Sequence, residues 1–211
     1  MKDKVIFPSR LLLLFLGALG VFLEFQKGGA SMALYYTVLS NILVTGFVAY
    51  LVYLMATKNT AWKSQQTLRL KGGVTMAIMI TCVIYHVMLR PIATAADFYR
   101  LDNFLCHYIV PIWFLLDTLI FDKNRQYKPL DPLGWTSMPL IYVVFSLFNG
   151  LVTKIPIHGA KDSPFPYFFL NGPKNGWDKV ALYAGVIFLG YMAFGYAFYT
   201  VKSISFGKKY K

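Results

Sequence analysis

The chain has 211 residues, of which 57% are hydrophobic, 18% aromatic and only 14% charged. A formal net charge of +12 would suggest nucleic acid as the partner of a soluble protein, but here the basic residues flank long apolar runs and read as membrane topology. No soluble core of this size needs so many apolar runs, and nearly everything fits into helices and short loops, so no soluble domain is expected beside the bundle.

Taken in chain order, the uncharged windows are Leu11–Leu23 (13 residues, with Glu24 following in the same stretch), Gly28–Thr57 (30) and Gly72–Leu89 (18). They continue with Asn103–Phe121 (19, interrupted by Asp117), Pro132–Thr153 (22) and Val180–Val201 (22). A bilayer crossing takes about 20 apolar residues at about 1.5 Å each. The expected fold is therefore an all-α integral membrane protein, one domain over 1–211, with spans near 9–26, 33–56, 71–90, 103–121, 135–153 and 179–201. Lys2, Lys4 and Arg10 ahead of a leucine run imitate a signal peptide, but no small-x-small site follows, so the first run is expected to be a retained span.

With the N-terminus cytoplasmic, inner segments hold 14 of the 21 basic residues, Arg10, Lys71 and Lys202 among them, and outer segments hold 7. That bias puts both termini inside. Among the connections, Lys154–Asp178 is the longest. It carries Pro156, Pro164, Pro166 and Pro173 with Phe165, Tyr167, Phe168, Phe169 and Trp177. It is too apolar to float in water and is expected to lie across the mouth of the bundle or in the headgroup region. Gly17 and Gly20, Gly185 and Gly190, and Ala193-x-x-x-Ala197 read as close-packing faces.

Polar residues inside a membrane are costly unless paired or wet, so they mark where function can sit. Thr37 lies roughly 6 Å into the second span, at 1.5 Å per residue, with Asn41 one turn on along the same face. His107 lies at a similar depth in the fourth span. Glu24, Tyr85, His86 and Asn149 lie near the outer ends of the first, third and fifth spans. The inner half offers mainly Asp117. A threonine hydroxyl needs a base within hydrogen-bond reach before it can act as a nucleophile, and histidine titrates near working pH. Asn41 can orient that histidine or donate to a developing oxyanion. Pro111 removes the N–H that would bond the carbonyl of residue 107 and loosens the helix there. The bland alternatives are a threonine bonded to its own backbone, a histidine that meets water, and a Glu24 that is an ordinary interfacial carboxylate rather than a cation ligand or a partner of His107.

Other constellations are weaker. His86 and His107 could ligate one haem or metal, but no ligand pair is spaced along a single helix. Cys106 beside His107 points about 100° away from it. Cys82 and Cys106 both lie in apolar stretches and read as small hydrophobes. His158 falls in the long loop and reads as solvated.

The segment Tyr35-Tyr-Thr-Val-Leu-Ser-Asn-Ile-Leu, followed by Cys106-His-Tyr-Ile-Val-Pro-Ile-Trp-Phe-Leu-Leu-Asp-Thr-Leu-Ile-Phe, resembles the bacterial six-span relatives of the androgen-induced, androgen-dependent TFPI-regulating protein family. Phe165-Pro-Tyr-Phe-Phe-Leu-Asn is similar to an outer-loop motif of the bacterial branch. The resemblance covers most of the chain in architecture and about 30 residues in motif. It implies a multi-pass protein of a bacterial cell membrane. It also implies an intramembrane hydrolase of lipophilic esters, of the type in which a fatty acid esterifies a hydroxy fatty acid, with Thr37 as nucleophile and His107 as base. In the animal branch the threonine stands three residues before the polar position, whereas Thr37 stands four before Asn41. That shift brings Val38 into the threonine's place and makes Ser40 a second candidate hydroxyl. The expected supporting residues are Asn41, Ser40, Glu24, His86 and Asn149; no metal or cofactor is called for, nor any nucleic acid. The partner is a membrane lipid or lipophilic ester. The alternative from another class is a non-catalytic protein that binds or moves a lipid or small solute through the same polar mouth.

Overall fold

A computed structural model describes residues 3–204. Among the described residues the chain is helical and without strand. Six helices are long and apolar enough to cross a membrane: α1 (Lys4–Leu34), α2 (Tyr36–Ala56), α3 (Gln65–Ile92), α4 (Leu101–Phe121), α5 (Asp131–Thr153) and α6 (Trp177–Ser203). The start of α1 and the end of α6 lie at the same end of the bundle, beside the end of α4: Arg10 pairs with Asp117, and Lys202 reaches the Asp122 carbonyl. At that terminal end the loop after α4 is tied to the end of α6: Arg125 N–H donates to the Lys202 carbonyl at 2.8 Å and Asn124 Nδ2 to that of Ile204 at 2.8 Å.

The first four helices share a core of Leu13, Val44, Val48, Val74, Ile78, Val110 and Phe114, all buried. Small residues bring the backbones together as expected at Gly17, which faces Thr45, and at Gly20, which faces Leu105 and Cys106. Gly185 and Gly190 do not pack: a Cβ at either would meet nothing within 4 Å. The reason lies in α6, which is held by large side chains instead. Tyr191 and Phe198 of α6 join Met76 and Trp135, and the Tyr191 hydroxyl donates to the Trp135 carbonyl at 3.1 Å. α5 and α6 thus lean on α3 mainly near the terminal end. Toward the other, distal end they stand off and leave an apolar cavity.

The Pro/aromatic loop closes the distal end, as its composition suggests. Phe165, Phe169 and Leu170 are buried with Tyr142 of α5, and the Phe165 ring lies against Gly150, where only a hydrogen leaves it room. The loop is pinned to the α1–α2 corner: Tyr35 donates through its hydroxyl to the His158 carbonyl at 3.0 Å, and His158 N–H donates to Ser31 Oγ at 3.2 Å.

The terminal half differs from its sequence reading. Asp117 is not an isolated polar group, and Arg10, Lys71 and Lys202 are not solvated loop charges. Arg10 Nε and Nη2 donate to the Asp117 carboxylate at 3.0–3.2 Å. Lys71 bonds both Asp117 and Asp122, the latter at 2.8 Å. Lys202 Nζ donates to the carbonyls of Thr118 and Asp122 at 3.1 and 2.8 Å, capping the C-terminus of α4. Arg10, Lys71 and Lys202 are no more than 2% exposed, so three of the fourteen basic residues counted toward the topology bias lie inside the bundle. Long basic side chains near helix ends turn inward when carboxylates wait there.

Candidate functional site

Thr37 and His107 meet. Thr37 Oγ1 lies 3.2 Å from His107 Nε2, and His107 Nδ1 lies 3.1 Å from the backbone carbonyl of Asn103. A carbonyl can only accept, so Nδ1 carries the proton and Nε2 presents its lone pair to the Thr37 hydroxyl. Tyr85 stacks on the imidazole, ring centroids 3.9 Å apart at 28°, which leaves the ring little freedom to turn.

The local backbone explains this geometry. In α4 the turn Leu105–Ile109 is a π-helix, with Val110 N–H bonded to the Leu105 carbonyl. In that wider register the Cys106 carbonyl would take its donor from residue 111, which is proline. Pro111 therefore orphans the carbonyl of residue 106, rather than that of residue 107 as a regular α-helix would give. Asn41 supplies the missing donor: its Nδ2 bonds the Cys106 carbonyl at 3.0 Å and the Thr37 carbonyl at 2.8 Å. A second π-turn, Tyr85–Leu89 of α3, lies just before Pro91 and carries the stacking ring. π-Turns are uncommon and concentrate at functional positions.

The other expected residues do not gather at the pair. Asn41 is fully buried and both its N–H groups are spent on carbonyls, so it braces α2 against α4 and has no donor left for an oxyanion. Ser40 points elsewhere: its Oγ bonds the Thr37 carbonyl at 3.1 Å and Thr81 Oγ1 at 2.8 Å. Val38 is buried in the same turn. Glu24 lines the cavity over His107 but pairs with Lys27 at 3.8 Å, not with the histidine. His86 stands outside, exposed, with Nδ1 3.1 Å from the Tyr108 hydroxyl. It shares no ligand position with His107. Asn149 anchors the roof, its Nδ2 bonding the carbonyls of Ile155 and Pro164 at 3.1 and 2.8 Å. Position along a helix does not tell which way each of these side chains faces.

One participant went unrecognised. Tyr167, in the roof loop, lies over the start of α2 and lines the same two cavities as Thr37. Burial raises its phenol above the usual value, so it remains a protonated donor at neutral pH. Thr37 itself sits in the first turn of α2, which follows the extended Tyr35 and has no side-chain cap. The first N–H groups of a helix lack partners within it. The available signal was the Phe-Pro-Tyr-Phe-Phe cluster, whose aromatic excess was legible as a roof but not as a hand reaching down.

Two cavities meet at this point. One is the more polar of the two, spans about 1470 Å³ including its open mouth, and has Glu24, Lys27, Asp97, Arg100, His107 and Lys161 among its walls. The other is apolar, encloses about 880 Å³ on the same basis, and runs between α3, α5 and α6 past Ile80, Ile84, Leu140, Val143, Ala184 and Ile187. Thr37, Tyr85, Leu89 and Tyr167 line both. Compared with protein-family models, with curated proteins and with solved structures, the chain matches none.

Proposed function

We propose that this protein is an intramembrane hydrolase of lipophilic esters, with Thr37 as nucleophile and His107 as general base and acid. The observation that carries the proposal is the 3.2 Å contact between Thr37 Oγ1 and an imidazole whose other nitrogen is held by the Asn103 carbonyl. Nucleophile, base and orienting group are the three parts such chemistry needs. The motif resemblance around Thr37 and His107 points to the same pair.

In the first half-reaction Thr37 Oγ attacks the ester carbonyl carbon while its proton passes to His107 Nε2. The developing oxyanion is met by the Tyr167 hydroxyl and the first-turn N–H groups of α2. The carbon–alkoxy bond then breaks, and His107 returns the proton to the departing alkoxide. In the second half-reaction a water attacks the acyl-threonine, giving up a proton to Nε2. Collapse releases the fatty acid, and the proton returns to Thr37 Oγ. Every step is proton transfer and acyl transfer, balanced as ester plus water to alcohol plus acid.

The test is labelling of the purified protein with a fluorophosphonate probe, with the adduct mapped by peptide sequencing. Adduct on Thr37, lost in His107→Ala, is the expected result. Thr37→Ala should abolish ester hydrolysis, Thr37→Ser should keep part of it, and Ser40→Ala should leave it intact. Absence of any adduct, with Thr37→Ala and His107→Ala as active as the wild type, would overturn the proposal and leave a protein that binds or conducts a lipid or small solute through the same cavities.

A further inference from the structure

The two cavities are unlike, and the catalytic pair is distributed unequally between them. Thr37 lines both, whereas His107 lines only the polar one. An ester has two arms, and the proton that completes alcohol departure must come from His107. The alcohol oxygen therefore has to lie on the His107 side of the carbonyl carbon, in the polar vestibule. The acyl chain is left the other direction, past Thr37 into the apolar cavity between α3, α5 and α6. The chemistry of the walls agrees. Lys27, Arg100 and Lys161 stand with Glu24 and Asp97 among the walls of the vestibule, so a small polar alcohol finds partners there that the apolar cavity lacks. The apolar cavity is walled by Ile80, Ile84, Leu140, Val143, Ala184 and Ile187 and offers nothing to a charged head.

We infer that the substrate is a single-chain amphiphile, a long-chain fatty acyl ester of a small polar alcohol. Its acyl chain lies in the α3/α5/α6 cavity and its alcohol leaves through the vestibule. The inference rests on the Thr37–His107 reading and adds to it the direction in which the ester lies. It also assigns a specificity surface: Ala184 and Ile187 of α6 set how long an acyl chain the site accepts. Ala184 is the smaller of the two, and an indole there would fill the cavity without touching Thr37 or His107.

A reversed-ester pair tests the direction. Monohexadecanoylglycerol and hexadecyl glycerate have the same chain and similar polar ends, but the ester is turned round. With the full chain in nanodiscs, kcat/KM for monohexadecanoylglycerol should exceed that for hexadecyl glycerate by about a hundredfold, the usual contribution of a positioned general acid. Hexadecyl hexadecanoate, with two long arms, should be the poorer substrate by a similar factor. Ala184→Trp and Ile187→Trp should each lower the ratio of kcat/KM on monohexadecanoylglycerol to that on monobutanoylglycerol by about tenfold, the scale of pocket discrimination. An unchanged thermal transition shows that the variant folds. If hexadecyl glycerate is cleaved as fast, and Thr37→Ala abolishes both activities, the arm assignment is wrong and the catalytic pair stands. If Thr37→Ala cleaves monohexadecanoylglycerol like the wild type, or the wild type cleaves no ester at all, the pair reading fails and the inference falls with it. The reversed pair is read on the unaltered chain, so it decides even where a tryptophan variant does not fold.

Discussion

Replacing Asp117 by asparagine should destabilise the bundle more than any change at the Thr37–His107 pair. Asp117 is 2% exposed and accepts from Arg10 at 3.0–3.2 Å as well as from Lys71. The amide would preserve volume and remove the charge. Arg10 and Lys71 would then share Asp122 alone, with Lys202 still positive beside them. Removing one partner from a buried ion pair typically costs about 3–5 kcal/mol, because the remaining charge stays buried and unpaired. For a chain of this length each kcal/mol corresponds to about 2–4 °C in Tm, so a drop on the order of 10 °C is expected. Thermal unfolding in detergent, followed by tryptophan fluorescence, measures it; Trp62 lies under the Arg10 guanidinium at 5.1 Å and reports locally. The double variant Asp117→Asn, Lys71→Met removes one charge of each sign and restores the balance. It should therefore be less destabilised than the sum of its two singles by at least about 1 kcal/mol. Strict additivity, or a loss below about 1 kcal/mol for Asp117→Asn, would refute the idea that charge balance rather than packing holds this end together.

Three further outcomes follow from the distal site. Asn41→Leu leaves the Cys106 carbonyl without its donor, while the Thr37 carbonyl keeps Ser40 Oγ, so it should cost about 1–3 kcal/mol in a denaturant titration and also lower kcat, since the π-turn that aims His107 loses its brace; unchanged stability would mean the amide is dispensable. Tyr167→Phe should lower kcat by about 10²–10³ with KM little changed, as measured by steady-state hydrolysis, whereas an equal rise in KM would demote the phenol to a wall. Cysteine-accessibility labelling should find position 161, in the roof loop, reactive from outside the cell and position 58, between α2 and α3, reactive from inside. The opposite pattern would invert the membrane orientation without altering the site.

The six spans were legible because a helix that crosses a bilayer must be apolar over its whole length, a demand visible in any window of about 20 residues. The pairing of Thr37 with His107 was legible for a related reason, since polar groups are so scarce there that two at one level have few other partners. What could not be read was direction. Arg10, Lys71 and Lys202 look like loop charges because each ends an apolar run, and only the packed bundle shows that their long stems turn back toward Asp117 and Asp122. Asn41 is the sharper case. Its place one turn below Thr37 suggested a donor for the reaction, and in a regular α-helix its amide would have been free. The π-register imposed between Leu105 and Ile109 frees the Cys106 carbonyl, and that carbonyl claims the amide. A shift of one residue in a hydrogen-bond ladder thus moves Asn41 from chemistry to architecture. In the proposed mechanism the oxyanion then falls to Tyr167, 126 positions further along the chain in the roof loop. The Thr37–His107 contact can be inferred from residue types at matching depth. Which other groups remain free for the proposed chemistry depends on which backbone carbonyls are already satisfied, and that is a property of the folded ladder.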